Sequence, residues 1–267
     1  MFKYWVTGDI HRNVTVCARN FKLRHPHEEP DNTCIICLGD YGINLGGKAY
    51  EEDQKLKQAV SSYGYHWLIL RGNHELRPSQ VPNMKRVYDE ELHGYIWFEE
   101  EFPLIRYFDD CVAEYVINGH SVLTVPGAFS IDKYYRLANR AFWNPEEQLT
   151  KEEMAAGLAL ATGKSYDFIF SHTCPISIEP RDLFLSMVRQ EDVDKTMENY
   201  LEAIIKVTSF KLLCFGHYHD DRLERPWAQM FYYSYEALDD IYERIVHPRN
   251  EPDYYHKKSP NYYMEGN

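Results

Sequence analysis

The sequence predicts a mixed α/β fold in which two packed β-sheets are flanked by helices, giving a four-layer αββα sandwich. Two patterns lead to this prediction: apolar runs alternate with helical patterns in the first third of the chain, and strand-like runs dominate the middle. Such an order places helices on the outer faces of stacked sheets. With 267 residues, of which 44% are hydrophobic, the chain can bury one large core.

The first third is predicted to form a β-α-β-α-β unit. Its strands are expected in the runs KYWVTGD, TCIICLGD and HWLILRGNHE, with helices over residues 13–23 and 51–62. In the middle, the runs PLIRYFDD, CVAEYVING and SVLTVPGAFS predict antiparallel strands. A capping box of Thr150 and Glu153 predicts the start of a helix, and residues 181–206 predict another. Further strands are expected at SYDFIFSH, FKLLCFGHYHDD and AQMFYYSYE.

The end of the chain differs in composition from the rest. Residues 247–267 are rich in Pro, Asn and Tyr without a period, which predicts a tail or surface-packed extension behind one domain of residues 1–246. No apolar run approaches the roughly eighteen residues of a membrane span, and the first residues lack the pattern of a signal peptide. We therefore expect a soluble, cytoplasmic protein with no membrane partner.

Charge and cysteine usage argue against several classes of function. The 29 Lys and Arg against 41 Asp and Glu leave a formal charge of -12, which opposes non-specific attraction to nucleic acid. The six cysteines lie mostly in apolar runs, which indicates reduced, buried thiols. Cys34 and Cys37 form a C-x-x-C pair, but residues three apart on a strand face opposite sides, so neither a zinc site nor a redox pair is expected.

Five short polar motifs follow five of the predicted strands. They are GDIH with Asp9 and His11, GDYG with Asp40, GNHE with Asn73 and His74, SHTCP with His172, and GHYH with His217 and His219. The carboxyl ends of strands in such sheets line a shared crevice, so these side chains are expected to converge. Two carboxylates, an amide oxygen and four imidazoles suit Mn²⁺, Fe or Zn²⁺ better than Ca²⁺ or Mg²⁺. Glycine before Asp9, Asp40, Asn73 and His217 is expected to let the backbone turn sharply off each strand.

These motifs, in this order over residues 8–219, resemble the calcineurin-like metallophosphoesterase superfamily. The resemblance implies that Asp9, His11 and His219 hold one metal ion, and that Asn73, His172 and His217 hold a second. It implies that Asp40 bridges the two ions and that His74 acts as general acid or stabilises the transition state. The implied reaction is hydrolysis of a phosphate ester by a hydroxide that two divalent metals activate, with Mn favoured and Fe or Zn as alternatives.

The match departs from the family pattern at informative places. LRGNHE is the form found in protein serine/threonine phosphatases, but Ile43 and Asn44 stand where those enzymes carry an Asp-Arg pair, which argues against a phosphoprotein substrate. Arg12 replaces a glycine common in relatives and is expected to contact phosphate. In the segment VPGAFSIDKYYR, the residues Ser130, Asp132 and Arg136 are expected to shape the substrate pocket. Arg71 and Arg77 are given no role in binding substrate, because an arginine beside a strand end more often pairs with a neighbouring acid such as Glu75.

Alternative functions remain open on the sequence alone. The preferred one is hydrolysis of a small or nucleotide-like phosphate ester, because the acidic balance argues against a long nucleic acid. A protein serine/threonine phosphatase-like enzyme and a nucleic-acid phosphoesterase are the alternatives among hydrolases. A catalytically silent scaffold that keeps the fold is the alternative from another class, and the complete set of expected ligands argues against it.

Overall fold

The computed structural model describes residues 2–46 and 49–247, and in that range thirteen strands form two sheets. The strands are β1 (Lys3–Thr7), β2 (Thr33–Cys37), β3 (His66–Ile69), β4 (Met84–Asp89), β5 (Gly94–Glu99), β6 (Ile105–Phe108), β7 (Ala113–Ile117), β8 (His120–Val125), β9 (Ser165–Ser171), β10 (Ser209–Phe215), β11 (Arg222–Arg225), β12 (Ala228–Met230) and β13 (Glu236–Ala237). The helices in the same range are α1 (Val14–Arg24), α2 (Tyr50–Ser61), α3 (Lys133–Ala138), α4 (Lys151–Ala161), α5 (Thr196–Val207) and α6 (Leu238–Val246).

Each sheet has a parallel centre and antiparallel edges. The first sheet has the order β13-β1-β2-β3-β6-β5-β4, with β1, β2, β3 and β6 parallel. The second has the order β11-β12-β10-β9-β8-β7, with β12, β10, β9 and β8 parallel. The β7–β8 pair is antiparallel as predicted, whereas β6 and β8 also pair in parallel with β3 and β9. Parallel centres place the carboxyl ends of neighbouring strands at the same edge.

Alternating side chains of the central strands enter different apolar clusters. In β2, Cys34 and Ile36 pack between the two sheets, whereas Ile35 and Cys37 pack on the outer face beneath α1. This period of two is ordinary strand geometry and confirms that the two cysteines face opposite sides. All six cysteines are free thiols, and five of them are buried.

Helices cover the outer face of each sheet, which confirms the four-layer prediction. Helices α1 and α2 cover the first sheet through side chains such as Phe21 and Val60. Helices α4 and α5 cover the second sheet through Ala161 and Leu201. The α4 start is also as predicted, because the Thr150 side chain accepts a hydrogen bond from the Glu153 amide and completes the capping box.

The predicted helix over residues 181–206 is wrong in its first half. The structure has short 3-10 turns at Arg181–Leu183 and Gln190–Asp192, and α5 begins only at Thr196. The Asp194 carboxylate accepts a hydrogen bond from the Thr196 amide at 2.8 Å, which marks the helix start. Leu185 and Met187 are exposed, so no core contact holds the preceding segment in a helix.

The predicted strand AQMFYYSYE divides between the two sheets. Its start forms β12 in the second sheet, and its end forms the short β13 in the first. Between them, the Asp221 carboxylate accepts hydrogen bonds from the backbone amides of Tyr232 and Ser234, which turns the chain. The β4–β5 hairpin and α6 were not predicted.

The predicted extension over residues 247–267 lies outside the described residues except for His247, which follows α6. The boundary of the domain at residue 246 therefore stays a prediction. None of the helices in the described part of the chain has the length and apolar composition needed to span a bilayer.

Candidate metal centre

The seven predicted donor residues follow β1, β2, β3, β9 and β10, the central strands of the two sheets. Three groups of their side chains and His74 bring ligand atoms within 4.8 Å of one another: Asp9 with His11 and His219, His11 with Asp40 and His74, and Asp9 with Asp40 and His172. The structure therefore gathers into one cluster side chains that lie more than 200 positions apart in the sequence.

Asp40 lies in the middle of this cluster. Its Oδ1 accepts hydrogen bonds from the backbone amides of Asn73 and His74, both at 2.9 Å. Its Oδ2 lies 3.5 Å from His172 Nε2, 3.7 Å from His74 Nε2 and 3.9 Å from His11 Nδ1. Burial acts to raise the pKa of Asp40, but the surrounding histidines outweigh burial and hold that pKa well below its usual range. One oxygen thus fixes the GNHE turn, and the other faces three imidazoles.

Asp9 is fully buried, and only one of its oxygens has a partner. Oδ2 accepts a hydrogen bond from the His217 backbone amide, whereas Oδ1 has no hydrogen-bond partner among the described residues. Oδ1 lies 3.9 Å from His11 Nε2 and 4.0 Å from His219 Nε2. Burial raises the pKa of Asp9 well above its usual value, with the His172 charge opposing and the Asp40 charge adding to the rise. A cation beside Oδ1 would satisfy this orphaned oxygen, so the donor set fits a metal ion.

His172 is held so that one ring nitrogen faces the cluster. Its Nδ1 lies 2.8 Å from the carbonyl oxygen of Leu38, which can only accept, so Nδ1 carries the proton. Nε2 then lies 2.8 Å from Asn73 Oδ1. Burial acts to lower the pKa of His172, but Asp40 and Asp9 raise it to about 9. An orienting contact of this kind on the distal nitrogen is typical of metal-binding histidines.

His11 and His219 form the open side of the cluster. Their Nε2 atoms approach to 2.8 Å, and the His219 ring stacks on Tyr232 with centroids 5.1 Å apart. Burial lowers the pKa of His11 to about 4, although the Asp40 charge opposes this change. Half of the His219 side chain is exposed, against none of Asp9. A ligand from solvent would therefore reach the cluster past His219.

His217 lies beside the cluster rather than within its closest groups. None of the three groups found among the described residues includes His217. Its ring centroid is 5.0 Å from that of His172, and its backbone amide holds Asp9. Burial lowers the pKa of His217 well below its usual value, which favours the neutral imidazole that a metal needs.

His74 lies at the rim of the cluster with one nitrogen buried. Its Nε2 is 3.7 Å from Asp40 Oδ2 and its Nδ1 has no hydrogen-bond partner in the described part of the chain. Ile43 and Asn44, which stand in place of an Asp-Arg pair, are both buried. Burial lowers the pKa of His74, with the charge of Asp40 opposing and that of Arg136 adding to the effect.

The arginines near the motifs form hydrogen bonds or ion pairs with other residues of the protein. Arg12 Nη1 lies 2.7 Å from Asp53 Oδ1, and its contact with phosphate stays a prediction. Of the two arginines left without a role, Arg77 pairs with an acid as such residues usually do, although with Glu153 rather than Glu75, whereas Arg71 donates to a backbone oxygen. Arg71 is fully buried and donates to the Glu147 carbonyl oxygen at 2.7 Å. Arg77 forms a two-pronged ion pair with Glu153, at 2.6 and 3.0 Å.

Glu75, the last residue of GNHE, has a role that the sequence reasoning missed. Its carboxylate accepts hydrogen bonds from the amides of Gly42 at 3.0 Å and Gly72 at 2.9 Å, and so ties the GDYG loop to the GNHE loop. Burial raises the pKa of Glu75 to about 7, with the Asp40 charge adding to the rise. Its fixed place in the GNHE motif was the signal that could have pointed to it.

The glycines before the donors were expected to let the backbone turn, and this expectation is corrected. Their main role is to leave free the space that a side chain would fill. Only Gly39 of the four has a positive φ, whereas five of the donors themselves do: Asp9, His11, Asp40, His217 and His219. A Cβ would lie 2.0 Å from His172 Nδ1 at Gly39, 2.1 Å from Asp40 Oδ1 at Gly72 and 2.4 Å from Asp9 Oδ2 at Gly216. Any side chain there would occupy the space of a donor.

The fold brings these side chains together as a candidate metal centre at the ends of the two sheets. The sequence model of the calcineurin-like phosphoesterase family matches residues 2–221, a range that includes every donor residue. The chain belongs to this family and is a metal-dependent hydrolase of phosphoric ester bonds. No curated protein sequence matches the chain.

Several solved structures are similar to this chain at low identity. The phosphopantetheinyl hydrolase PptH from Mycobacterium tuberculosis is 15% identical with a TM-score of 0.43, covering 97% of this chain and 98% of that one. The protein TT1561 of Thermus thermophilus is 12% identical with a TM-score of 0.44, covering 89% and 98%. The 5'-nucleotidase precursor from the same organism is 14% identical with a TM-score of 0.32, covering 82% and 42%.

Proposed function

We propose that this enzyme hydrolyses a small or nucleotide-like phosphate ester at a centre of two divalent ions, with manganese as the favoured metal. Asp9, His11 and His219 would hold the first ion, Asn73, His172 and His217 the second, and Asp40 would bridge them. The observation that carries the proposal is the buried Asp9 Oδ1, unpartnered among the described residues, facing the nitrogens of His11 and His219. When bound, two such ions supply the Lewis acidity that activates water and offsets phosphate charge.

The chain's own residues would orient and protonate the substrate. Asp40 keeps one oxygen on the GNHE amides, so its other oxygen stays fixed towards the cluster. The ester would enter past the exposed ring of His219. The His74 imidazole would then hold a proton for the leaving-group oxygen, since an imidazole is the usual donor near neutral pH.

Charge pairing around the centre favours a compact substrate over a long polyanion. Arg12 is paired with Asp53 and Glu52, and Arg136 is paired with Asp132. These basic side chains near the motifs are therefore neutralised by neighbouring acids. A long nucleic acid requires a track of basic groups along its backbone, whereas a single phosphate takes its counter-charge from the ions.

The test combines metal analysis with a substrate screen. We expect the purified full chain, loaded with Mn²⁺, to bind two ions and to hydrolyse monoesters or small diesters in a screen that also includes phosphopeptides and single-stranded DNA. Asp40→Asn should lose both bound metal and hydrolysis. A wild-type chain that binds no transition metal and hydrolyses none of these esters would instead favour a silent scaffold. Preferential cleavage of DNA or phosphopeptide would overturn the substrate class only.

A further inference from the structure

A buried hydrogen-bond chain leads from the loop after β8 to Asn73. Asn73 Nδ2 donates to Ser130 Oγ at 2.8 Å, and Ser130 Oγ donates to Glu147 Oε2 at 2.5 Å. Trp143 Nε1 donates to the same Glu147 oxygen at 2.8 Å, and the Ser130 amide donates to the other at 3.1 Å. Asn73, Ser130 and Glu147 are each no more than 2% exposed, so water does not compete for these bonds.

The direction of these hydrogen bonds is fixed by the Glu147 carboxylate, at which they end. Three donors converge on the Glu147 carboxylate, so the carboxylate acts only as an acceptor. The hydroxyl of Ser130 must then give its single proton to Glu147 and can only accept from Asn73. The Asn73 amide is therefore held with its NH₂ group towards Ser130 and its oxygen on the opposite side, 2.8 Å from His172 Nε2.

We propose that Ser130 and Glu147 are positioning residues that fix the orientation of the Asn73 amide and so present its oxygen to a metal ion. This inference rests on the proposed function, in which Asn73 is a ligand of the second ion. An amide oxygen has lone pairs for a cation, whereas an amide nitrogen has none available. An amide rotated by half a turn would be a poor ligand in the same place.

The buried Arg71 connects the loop that carries Glu147 to the strand end that carries Asn73. Its Nη1 donates to the Glu147 carbonyl oxygen at 2.7 Å, and its own carbonyl oxygen accepts from the Gly127 amide at 2.9 Å. Arg71 directly precedes Gly72 and Asn73, so the strand end that carries the ligand also holds the loop that orients it. The contact with Glu147 thus gives the fully buried Arg71 guanidinium a structural role.

The test is titration of the metal-free full chain with Mn²⁺ by calorimetry, with the Mn²⁺ spin-resonance spectrum as a second readout. We expect Ser130→Ala and Glu147→Gln to weaken binding of one of two ions by about 10–100-fold and to lose the spectrum of the coupled pair. Trp143→Phe removes one donor to Glu147 but does not change the direction of the hydrogen bonds from Asn73 and Ser130. This variant should therefore bind both ions normally. Thr150→Ala, which removes the α4 cap, is the control for a general loss of stability.

A double variant separates orientation from mere structural support. Asn73→Asp replaces the amide by a carboxylate whose two oxygens are equivalent, so no orienting contact is needed. Adding Ser130→Ala in that background should change Mn²⁺ affinity far less than it does in the wild type. Two ions bound at unchanged affinity by Ser130→Ala and Glu147→Gln would overturn this inference alone. A wild-type chain that binds fewer than two ions would overturn it together with the two-metal proposal.

Discussion

Five of the seven predicted metal donors occupy a backbone conformation that L-residues adopt with difficulty. Asp9, His11, Asp40, His217 and His219 all have φ between 29° and 71°. Such residues cost about 1–3 kcal/mol each, although Asp and His are among the types that tolerate this region best. Bonds between the loops maintain it: the His11 amide donates to the Asp40 carbonyl oxygen at 2.7 Å, and the Gly216 amide donates to that of His172 at 2.9 Å. The left-handed turns direct each side chain off its strand end into the crevice.

Replacing Gly72 by alanine should damage the metal site. The new Cβ would lie 2.1 Å from Asp40 Oδ1 and 2.3 Å from the Asp40 backbone nitrogen, and a backbone atom cannot move aside cheaply. We expect Mn²⁺ affinity, measured by calorimetry, to fall at least about tenfold. Gly119→Ala is the control, since its Cβ meets open space and its φ of 83° brings only a stability loss of about 1–2 kcal/mol. Wild-type affinity in Gly72→Ala would contradict the steric argument.

Removing His74 should affect substrates according to their leaving groups. If His74 supplies the proton, His74→Ala should lower kcat by about 10²–10⁴-fold on an alkyl phosphate, whose alkoxide must be protonated. It should lower kcat much less on 4-nitrophenyl phosphate, whose leaving group needs no proton. Steady-state rates on both esters measure this, with the exposed His27→Ala as control. Equal losses on the two esters would indicate that His74 acts by stabilising charge rather than by donating a proton.

At the scale of elements, one ion pair connects the GNHE loop to helix α4. Glu153 accepts from Arg77 at 2.6 Å and from the Thr150 amide at 2.7 Å, so it serves both the ion pair and the helix cap. Burial acts to raise the pKa of Glu153, but the bonds from Arg77 and Thr150 outweigh burial and lower it to about 2. The charged form of Glu153 is therefore stabilised in the folded protein.

This depressed pKa predicts how stability changes with pH. Glu153 contributes stability above its unfolded pKa of 4.5, and the contribution is lost as pH falls towards about 2. At pH 6 we expect the free energy of unfolding of Glu153→Gln to be about 2 kcal/mol lower than that of the wild type. This gap between the two free energies should close as the pH falls from 4.5 to 2. Urea unfolding at each pH measures the gap. Glu152→Gln, in the same turn but exposed, should show no such closing, and a constant gap for Glu153→Gln would refute the assignment.

Elements with a clear hydrophobic period or capping motif could be predicted from the sequence. Elements that depend on contacts between residues far apart in the sequence could not. The runs of β1, β2 and β3 and the α4 capping box carry local signals that match the structure. The β4–β5 hairpin carries charged residues such as Lys85 and Arg86 and lies at a sheet edge, where apolar patterning is weak. Helix α6 follows an aromatic run that predicts strand, and it forms because Leu238 and Ile241 pack into the cluster between the sheets.

At the scale of the whole molecule, the centre depends on contacts across long sequence distances. The donor types and their motifs were visible in the sequence because metal chemistry selects carboxylate, amide and imidazole. Glu75 and Arg71 were not, because their partners are backbone groups up to 76 residues away. Residue type does not reveal a side chain's bond to a peptide group. The supporting contacts of the site could therefore be recognised only once the two sheets were in place.

Binding of ions should stabilise the whole fold, because the donors come from both sheets. Asp9, His11, Asp40 and Asn73 follow strands of the first sheet, whereas His172, His217 and His219 follow strands of the second. Unfolding separates these segments, so the folded chain should bind Mn²⁺ far more tightly than the unfolded chain does. Bound ions would then act as a link between the sheets as well as a catalytic centre.

The size of this stabilisation follows from mass action. At free Mn²⁺ a hundredfold above its Kd, folding gains about 2.7 kcal/mol, which for a chain of this size raises Tm by roughly 5–10 °C. Calorimetric scans of chelator-treated protein with and without Mn²⁺ measure the rise. Asp40→Asn should show little rise, because the residue proposed to bridge both ions is altered, whereas Glu152→Gln should show all of it. A Tm that does not respond to Mn²⁺ in the wild type would mean that the donors of the two sheets do not share a metal centre.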